Sequence, residues 1–378
     1  GLGDVDKRQV RSLCLLSDDD ELVLWRGTFQ TGLLCSRDLG KTWAEKNTGI
    51  TSQNWVSFSI SPDFSDDQTM FAGGSGGGIY VSVDGGSNWK PSGENLVDLD
   101  ISAVSLSPDF GSDGLLLTAT QAGLYRSVDR GQSWSECVEG FDLDDVRAVA
   151  FSSTYSSDSI IFAGGALGLT FQCSDGGVSW KRLVHDFDGE TVVAVATGPD
   201  FAKDRTVFVG TIGITAAAVH VSYDGGESFE RFVEHETTTP WVSLGVPGSY
   251  SEEDRTWLFS TSSQVFRPTE RFQDVWTGTY PADSETAVLT IAITPTFTED
   301  TTVYAGTSKG VFRSGNGGSG WSELNAGLKN LAVLKVVASP AYAADHAVFA
   351  MALGGEIWRF VDDPETRRGE VLEPTDIV

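Results

Sequence analysis

The sequence predicts an all-β protein that folds as a single β-propeller domain of four-stranded antiparallel blades over residues 1–378. Three observations carry this prediction. A motif containing aspartate, glycine and tryptophan recurs about every 46 residues, a second motif keeps the same period, and each period holds four short runs of β-branched and aromatic residues. Four strands in a unit of roughly 40–50 residues are typical of propeller blades.

The first motif reads SVDGGSNW over residues 82–89, and similar copies begin at residues 36, 127, 173, 222 and 314. Its third position holds Asp38, Asp84, Asp129, Asp175, Asp224 and Asn316. Further steps of the same length reach Glu270 and Asp362, so eight units lie in register. We therefore expect eight blades; seven blades, with the terminal units pooling strands, are the alternative. Residues 364–378 supply either a closing strand or a loose tail.

The second motif reads SPDFSDD over residues 61–67, where Phe64 is followed three residues later by Asp67. Weaker or similar copies begin at residues 107, 152, 198, 294 and 339, and a seventh at residue 247 has a gap of four. In unit two, strands a to d are WVSFSI, TMFAGG, GIYVSV and NWKPSG, separated by turn-forming residues. We expect the second motif to be a turn between strands a and b, and no sustained helix anywhere.

The first motif falls between strands c and d, where each residue type has a structural use. Asp84 can accept hydrogen bonds from backbone N–H groups of the turn, and Ser82 can support it. Gly86 suits a positive φ, and Trp89 can fill the gap between blades. Because a catalytic carboxylate is needed once or twice and not in every blade, repetition favours a structural role for these aspartates.

This pattern resembles the Asp-box (BNR) repeat, S-x-D-x-G-x-[ST]-W, of sialidases, sortilin-type receptors, two-domain xyloglucanases and photosystem II assembly factors. The resemblance covers essentially the whole chain and implies a propeller. It leaves function open, since that superfamily contains both hydrolases and binding proteins. Departures are Phe229 in place of tryptophan, a shifted Trp276, and a last unit with neither glycine nor tryptophan. A sialidase is not expected, because clustered arginines and an F-R-I-P segment before the first copy are missing.

The composition limits the kinds of partner and cofactor that we expect for this protein. The formal net charge is −27, which argues against nucleic acid and against anionic membranes. There is no apolar run long enough to insert into a membrane. The four cysteines have no metal-binding or disulfide spacing, so we expect buried thiols, no metal and no cofactor. No signal segment is recognisable, which favours the cytoplasm while leaving the compartment open.

Strand order places the a–b and c–d turns on one face of a propeller and the d–a and b–c loops on the other. We expect function on the second face, because variable loops carry most binding sites. Its d–a loops are acidic, with two histidines and flanking tryptophans. The candidate binding residues are Trp55, Asp98, Asp100, Asp142, Asp144, Asp145, His185, Asp186, Asp188, Glu234, His235 and Trp241.

Three interpretations of this acidic rim remain open: a solvated surface, a docking face for a protein with a basic patch, and a carboxylate-based glycosidase site. We expect a non-catalytic protein-binding scaffold or complex-assembly subunit. The alternative is a glycan-acting hydrolase that uses a carboxylate pair on the rim, with a glycan as its ligand.

Overall fold

A computed structural model describes residues 10–18, 21–28, 32–51, 55–93, 95–142, 144–183, 187–214, 216–236, 242–251, 256–261, 263–268, 276–353, 356–362 and 368–370. Their strands form eight four-stranded antiparallel sheets arranged in a ring, a β-propeller with eight blades. The prediction of eight blades is confirmed, and the seven-bladed alternative is wrong. In every blade the four strands pair in sequence order, from strand a to strand d.

The strands of the first half of the ring have the following bounds. Blade 1 has β1 (Val10–Asp18), β2 (Glu21–Thr28), β3 (Gly32–Ser36) and β4 (Ala44–Glu45). Blade 2 has β5 (Trp55–Ile60), β6 (Met70–Gly74), β7 (Gly78–Ser82) and β8 (Lys90–Ser92). Blade 3 has β9 (Ile101–Leu106), β10 (Leu116–Thr120), β11 (Gly123–Ser127) and β12 (Ser135–Glu136). Blade 4 has β13 (Val146–Phe151), β14 (Ile161–Gly165), β15 (Thr170–Cys173) and β16 (Trp180–Arg182).

The second half continues the same pattern. Blade 5 has β17 (Thr191–Thr197), β18 (Val207–Ile212), β19 (Ala216–Ser222) and β20 (Glu230–Glu236). Blade 6 has β21 (Val242–Gly245), β22 (Leu258–Thr261), β23 (Gln264–Pro268) and β24 (Trp276–Thr279). Blade 7 has β25 (Val288–Ile293), β26 (Val303–Thr307), β27 (Gly310–Ser314) and β28 (Ser322–Glu323). Blade 8 has β29 (Val333–Ala338), β30 (Ala347–Ala352), β31 (Ile357–Val361) and β32 (Arg368–Glu370).

The core lies between neighbouring blades, and the same packing closes the ring. Trp43 of blade 1 packs with Ala347, Phe349 and Ile357 of blade 8 in one buried cluster. The last strand of blade 8 comes from the C-terminal segment, since β32 pairs with β31 through Phe360 and Gly369. Apolar contact between the first and last blades therefore joins the two ends of the repeat array.

Six of the seven a–b connections that contain the second motif form one helical turn where the sequence had indicated an ordinary turn; the seventh, which begins at residue 247, is described only in part. The six helices are α1 (Phe64–Asp67), α2 (Phe110–Asp113), α3 (Tyr155–Asp158), α4 (Phe201–Asp204), α5 (Phe297–Asp300) and α6 (Tyr342–Asp345). In α1 the buried Phe64 anchors the helical turn, while Asp67 accepts hydrogen bonds from the Ser61 hydroxyl at 2.8 Å and the Thr69 backbone at 2.9 Å. These bonds explain the fixed spacing between the aromatic residue and the aspartate.

Candidate functional site

Hydrogen bonds between connections define the two faces of the propeller. The c–d turns join the helical a–b connections, as in the bond from Gly85 N to the Gln68 carbonyl oxygen at 3.0 Å. The d–a loops join the b–c loops, as in the bond from Gly78 N to the Leu99 carbonyl oxygen at 3.0 Å. We call the first surface the turn face and the second the loop face.

The c–d turn of blade 2 shows how the repeated aspartate is used. Asp84 accepts hydrogen bonds from Asn88 N and from the Ser82 hydroxyl, both at 2.8 Å. Gly86 N donates to Ser82 Oγ at 2.8 Å, and Gly86 has a φ of 77°. A Cβ at Gly86 would lie 2.1 Å from the Trp25 ring, so glycine is needed both for its φ and for close packing. The turn closes on itself, and its carboxylate is directed at the turn's own donors.

The carboxylates of these turns stay ionised because of the same hydrogen bonds. Burial raises the pKa of Asp224, but bonds from the hydroxyls of Ser228 and Ser222 and from nearby backbone N–H groups outweigh burial and lower it to about 2. Asp175 behaves likewise, with its pKa lowered to about 2. A group held this firmly as an acceptor is poorly suited to proton transfer near neutral pH.

On the loop face, Asp98 and Asp100 connect the loop between blades 2 and 3 to both blades. Asp98 accepts from Ala122 N of blade 3 at 2.9 Å and from Asp100 N at 3.0 Å. Burial raises the pKa of Asp98, yet these backbone bonds leave it lower than usual. Asp100 accepts from the Ser75 hydroxyl of blade 2 at 2.9 Å. Both carboxylates thus hold loops together.

The next loop presents its three acidic residues differently. Asp142 and Asp144 are exposed. Asp145 has a φ of 53° and forms an ion pair with Arg147 at 2.5 Å. Its backbone N donates to the Gln121 carbonyl oxygen at 2.7 Å. This loop therefore offers two exposed carboxylates next to a third that is paired.

Trp55 begins strand a of blade 2 but does not face solvent. It is 1% exposed, belongs to the core cluster of blades 1 and 2, and packs edge-on against Tyr80 with ring centroids 5.6 Å apart. Its position at the start of a strand gave no signal for this burial, because strand alternation is interrupted there by a bulge between Trp55 and Ser57.

The remaining candidates are described only in part. His185, Asp186 and Trp241 lie outside the described residues. Asp188 lies in a 3₁₀ turn (Phe187–Gly189), and Glu234 and His235 lie in β20; for these three, only the backbone is described.

The structure adds a buried polar cluster in blade 5 that the sequence did not single out. Glu190 Oε2 accepts from the Thr211 hydroxyl at 2.5 Å, and Glu190 Oε1 accepts from Arg231 at 2.8 Å. His220 Nε2 lies 3.1 Å from the Thr211 hydroxyl and 4.0 Å from Glu190 Oε2. The Glu190 and His220 side chains are 10% and 5% exposed. Since strands b and c supply Thr211 and His220 at different points of the repeat, no local motif marks this cluster.

A second unpredicted contact lies between blades 6 and 7. Asp283 forms an ion pair with Lys309 at 2.6 Å and accepts from the Thr286 hydroxyl at 2.7 Å. The hydrogen bond from Lys309 is the main reason that the pKa of Asp283 falls to about 2. As at Asp98, a d–a carboxylate fixes the neighbouring b–c loop.

Exposed apolar side chains are concentrated in the connections of the loop face. Among the described residues, eleven large apolar side chains are exposed, and only Val83, Val128 and Val178 lie in the aspartate-containing turns. The other eight lie in d–a or b–c connections: Val97, Leu99, Val138, Leu167, Ile214, Tyr280, Leu331 and Leu353. Ile214 is fully exposed and Val97 is 83% exposed. Exposed apolar side chains mark an interaction site where they form a contiguous patch, and by the number of such side chains the loop face is the better candidate.

Blade 8 uses its repeat aspartate in a different way. Asp362 is buried and accepts hydrogen bonds from the hydroxyls of Tyr304 at 2.5 Å and Tyr342 at 3.2 Å. It also pairs with Arg313 of blade 7. Burial and the contact with Asp362 raise the pKa of Tyr304, so its hydroxyl remains a donor. This network ties blade 8 to blade 7.

Nowhere in the described residues do three His, Cys, Asp or Glu side chains converge as a metal site would require. Cys35, Cys137 and Cys173 are buried thiols; burial is the main reason that the pKa of Cys137 rises to about 12. No helix in the described ranges is both long and apolar enough to cross a membrane.

Comparison with solved structures finds other β-propellers. YCF48 bound to D1 peptide superposes with a TM-score of 0.56 at 15% identity, covering 96% of this chain and 95% of that one. YCF48 from Cyanidioschyzon merolae gives 0.53 at 16% identity, over 83% of this chain and 96% of that one. An ancestral GH74 enzyme gives 0.54 at 13% identity, over 98% of this chain.

The chain spans 62% of the length of that GH74 enzyme. At such low identities the likeness establishes the fold alone. No protein-family model matches the sequence, and no curated protein matches it either.

Proposed function

We propose that this protein is a non-catalytic scaffold or complex-assembly subunit that binds a partner protein through its loop face. The observation that carries the proposal is the concentration of exposed apolar side chains in the loop-face connections, with Ile214 fully exposed. Interfaces of this kind combine an apolar centre with a polar rim. Here the exposed carboxylates Asp142 and Asp144 supply negative charge to that rim.

Charge indicates the kind of partner. A chain of net charge −27 attracts a protein with a basic patch, and complementary charge raises the association rate and excludes acidic competitors. The loops that would meet such a partner are held by bonds such as those of Asp98 and Asp283. Loops fixed before binding lose little conformational entropy on association, which favours affinity. The structural neighbour YCF48 binds a peptide, which supports the same kind of role for this chain.

A matched pair of variants tests this proposal. The loop-face variant Val97→Ser/Ile214→Ser and the turn-face variant Val83→Ser/Val128→Ser each remove two exposed apolar side chains. The tagged full-length variants are used to isolate partners from the source organism. A stoichiometric partner retained by the turn-face variant and lost by the loop-face variant supports the proposal; equal loss from both contradicts it.

A glycan-acting hydrolase is the second candidate, because Asp142 and Asp144 are carboxylates with exposed side chains on one loop and a GH74 enzyme shares the fold. Hydrolysis of plant and microbial polysaccharides is assayed with wild type and with Asp142→Asn/Asp144→Asn. Turnover that the double variant abolishes establishes the hydrolase and removes the scaffold proposal.

Two finer assignments accompany the main proposal. The self-closing turns at Asp84 and its equivalents support membership of the Asp-box repeat proteins, and the closed ring supports one propeller domain over the whole chain. Replacing Ser82 or Gly86 by alanine should lower stability if the turn follows the Asp-box design, whereas an unchanged melting temperature for both variants contradicts it.

A further inference from the structure

The b–c loops of blades 2 and 4 can be compared residue by residue. Strand b begins at Met70 in blade 2 and at Ile161 in blade 4, and each of these residues pairs with the first residue of the aspartate-containing turn. Six residues further on, blade 2 has Gly76 and blade 4 has Leu167. Both residues have a positive φ, of 70° for Gly76 and 59° for Leu167. A leucine therefore adopts, in blade 4, the left-handed conformation for which blade 2 uses glycine.

This conformation is unfavourable for Leu167, because the Cβ of an L-residue then lies too close to the backbone. Glycine adopts it without that cost. Packing among the described residues does not compensate the leucine: its side chain is 67% exposed, whereas Leu169 is buried in the core cluster of blades 3 and 4. Backbone strain that packing does not explain is typical of residues that contact a ligand or partner.

Hydrogen bonds hold the loop of Leu167 against the preceding d–a loop. Ala166 N donates to the Asp145 carbonyl oxygen at 3.2 Å, and Asp145 N donates to the Gln121 carbonyl oxygen of blade 3 at 2.7 Å. A Cβ at Gly165 would lie 2.3 Å from the Asp145 carbonyl oxygen, so the two loops are in close contact. Leu167 is thus presented on a fixed backbone, and a partner that binds it pays little conformational entropy for ordering the loop.

The d–a loop that supports Leu167 is acidic. Asp142 and Asp144 are exposed, and the Asp145 carboxylate is paired with Arg147. An apolar tip beside exposed carboxylates fits a surface that combines an apolar pocket with basic residues. A second copy of this chain fits poorly, because a two-fold contact sets the same surface against itself and opposes like charges.

We propose that Leu167 is the apolar anchor of the loop face. Its side chain enters an aliphatic pocket of the partner protein, and lysine or arginine residues at the edge of that pocket face Asp142 and Asp144. This inference rests on the proposed function and adds the position and the chemistry of the contact. Binding free energy in protein interfaces is concentrated in a few side chains that fill pockets of the partner. The strained backbone at Leu167 is the cost of placing such a side chain at the tip of the loop.

Melting of the purified protein tests the strain at Leu167. Asparagine tolerates the left-handed conformation better than leucine, so Leu167→Asn should raise the melting temperature by about 1–2 °C. Gly76→Leu is the matched control in blade 2, where a Cβ would come no closer than 4.0 Å to Asp100 Oδ1. This control introduces the same strain and should lower the melting temperature by a similar amount. A melting temperature of Leu167→Asn at or below that of wild type would overturn the proposal, because the leucine would then stabilise the fold.

A photo-cross-linker next to Leu167 tests the contact with a partner. p-Benzoylphenylalanine replaces Asp144 in the full-length protein, and the protein is irradiated in an extract of the source organism. The same experiment is repeated with Leu167→Asn and with the cross-linker at Val128, which is exposed on the turn face. We expect a cross-linked protein only when the cross-linker is at position 144 and Leu167 is present. No cross-link at position 144, or an equal yield with Leu167→Asn, would overturn the proposal.

The affinity of the purified cross-linked protein for variants of the chain completes the test. Leu167→Asn should weaken binding about ten-fold, whereas Val128→Asn should change it less than about two-fold. Asp142→Asn/Asp144→Asn should slow association, and the difference from wild type should shrink at high salt. Equal affinities of wild type and Leu167→Asn would overturn the proposal.

The loop-face variant Val97→Ser/Ile214→Ser distinguishes failure of the anchor from failure of the proposed function. If this variant loses the partner and Leu167→Asn retains it, the loop face is the binding surface and Leu167 is not its anchor. If both variants retain the partner, the anchor and the proposed function are both wrong.

Discussion

Blades 2 and 8 hold an aspartate at the same repeat position but use it for different purposes. Asp84 accepts hydrogen bonds from Ser82 and Asn88 within its own turn. Asp362 accepts them from Tyr304 and Tyr342 and pairs with Arg313 of the neighbouring blade. Blade 8 has Phe360 where blade 2 has Ser82, so its local hydroxyl donor is missing. The comparison teaches that a repeat can keep a residue while its role changes from closing a turn to joining two blades.

The largest expected effect is at Asp362. Replacing it with alanine removes the acceptor shared by Arg313, Tyr304 and Tyr342 in a buried site, and we expect a loss of about 3–5 kcal/mol in the free energy of unfolding. Urea unfolding followed by tryptophan fluorescence measures the change. Asp362→Asn is the control: it keeps an acceptor but loses the charge, so it should cost less than alanine.

A loss at Asp362 as small as that at Asp84 would show that the inter-blade network contributes little. The stability of blade 8 would then have to come from the packing of Phe360 and Trp358, which are both 2% exposed. Tyr304→Phe separates these explanations, because it removes only the hydroxyl at 2.5 Å from the carboxylate and leaves the ring in place.

Replacing Asp84 should lower the free energy of unfolding by less than replacing Asp362. Asp84→Ala removes three hydrogen bonds from an exposed turn, and we expect a loss of about 1–2 kcal/mol in the free energy of unfolding. Asp84→Asn is the matched control, because blade 7 already uses Asn316, which accepts from Gly320 N at 2.9 Å. An asparagine variant as unstable as the alanine variant would mean that the charge, and not the acceptor geometry, holds the turn.

The comparison also shows why the sequence was sufficient for the fold. Blade number follows from the spacing of Asp84 and its equivalents, because each turn closes locally and leaves the same short pattern in every unit. Even blade 8, without glycine and tryptophan in its turn, was counted from the position of Asp362. The helical turns were missed because a four-residue helix such as Phe64–Asp67 is too short to show helical periodicity.

The candidate site was less accessible to sequence reasoning because it is formed between units. The acidic loops were recognised from composition, but nothing in the sequence indicated that Asp98 would bond to Ala122, about half a repeat away. The Glu190 cluster depends likewise on residues from different strands. Periodicity identifies what each unit repeats, whereas these contacts depend on where units differ.

Blade 4 allows a sharper test of the local turn, because Cys173 stands where blade 2 has Ser82. Burial, and then the hydrogen bond to Asp175, raise the pKa of Cys173 to about 11 from 9.0. A raised pKa stabilises the fold below about pH 9, and this contribution is lost as pH rises toward 11. Between pH 7 and pH 10, the free energy of unfolding of wild type should therefore fall by about 1 kcal/mol more than that of Cys173→Ser. A pH-independent difference between the two proteins, measured by urea unfolding, would contradict this.

The smallest expected effect is the loss of stability at low pH. Hydrogen bonds lower the pKa values of Asp175 and Asp224 to about 2 from 3.8, so their contribution to stability is complete above about pH 4 and is lost as pH falls through 2. Both side chains are exposed, and solvent screening limits each contribution to below about 1 kcal/mol. The melting temperatures of wild type and Asp224→Asn should therefore converge between pH 5 and pH 2. A gap that stays constant over that range would show that ionisation of Asp224 does not contribute, and that the turn needs only an oxygen acceptor, as Asn316 supplies in blade 7.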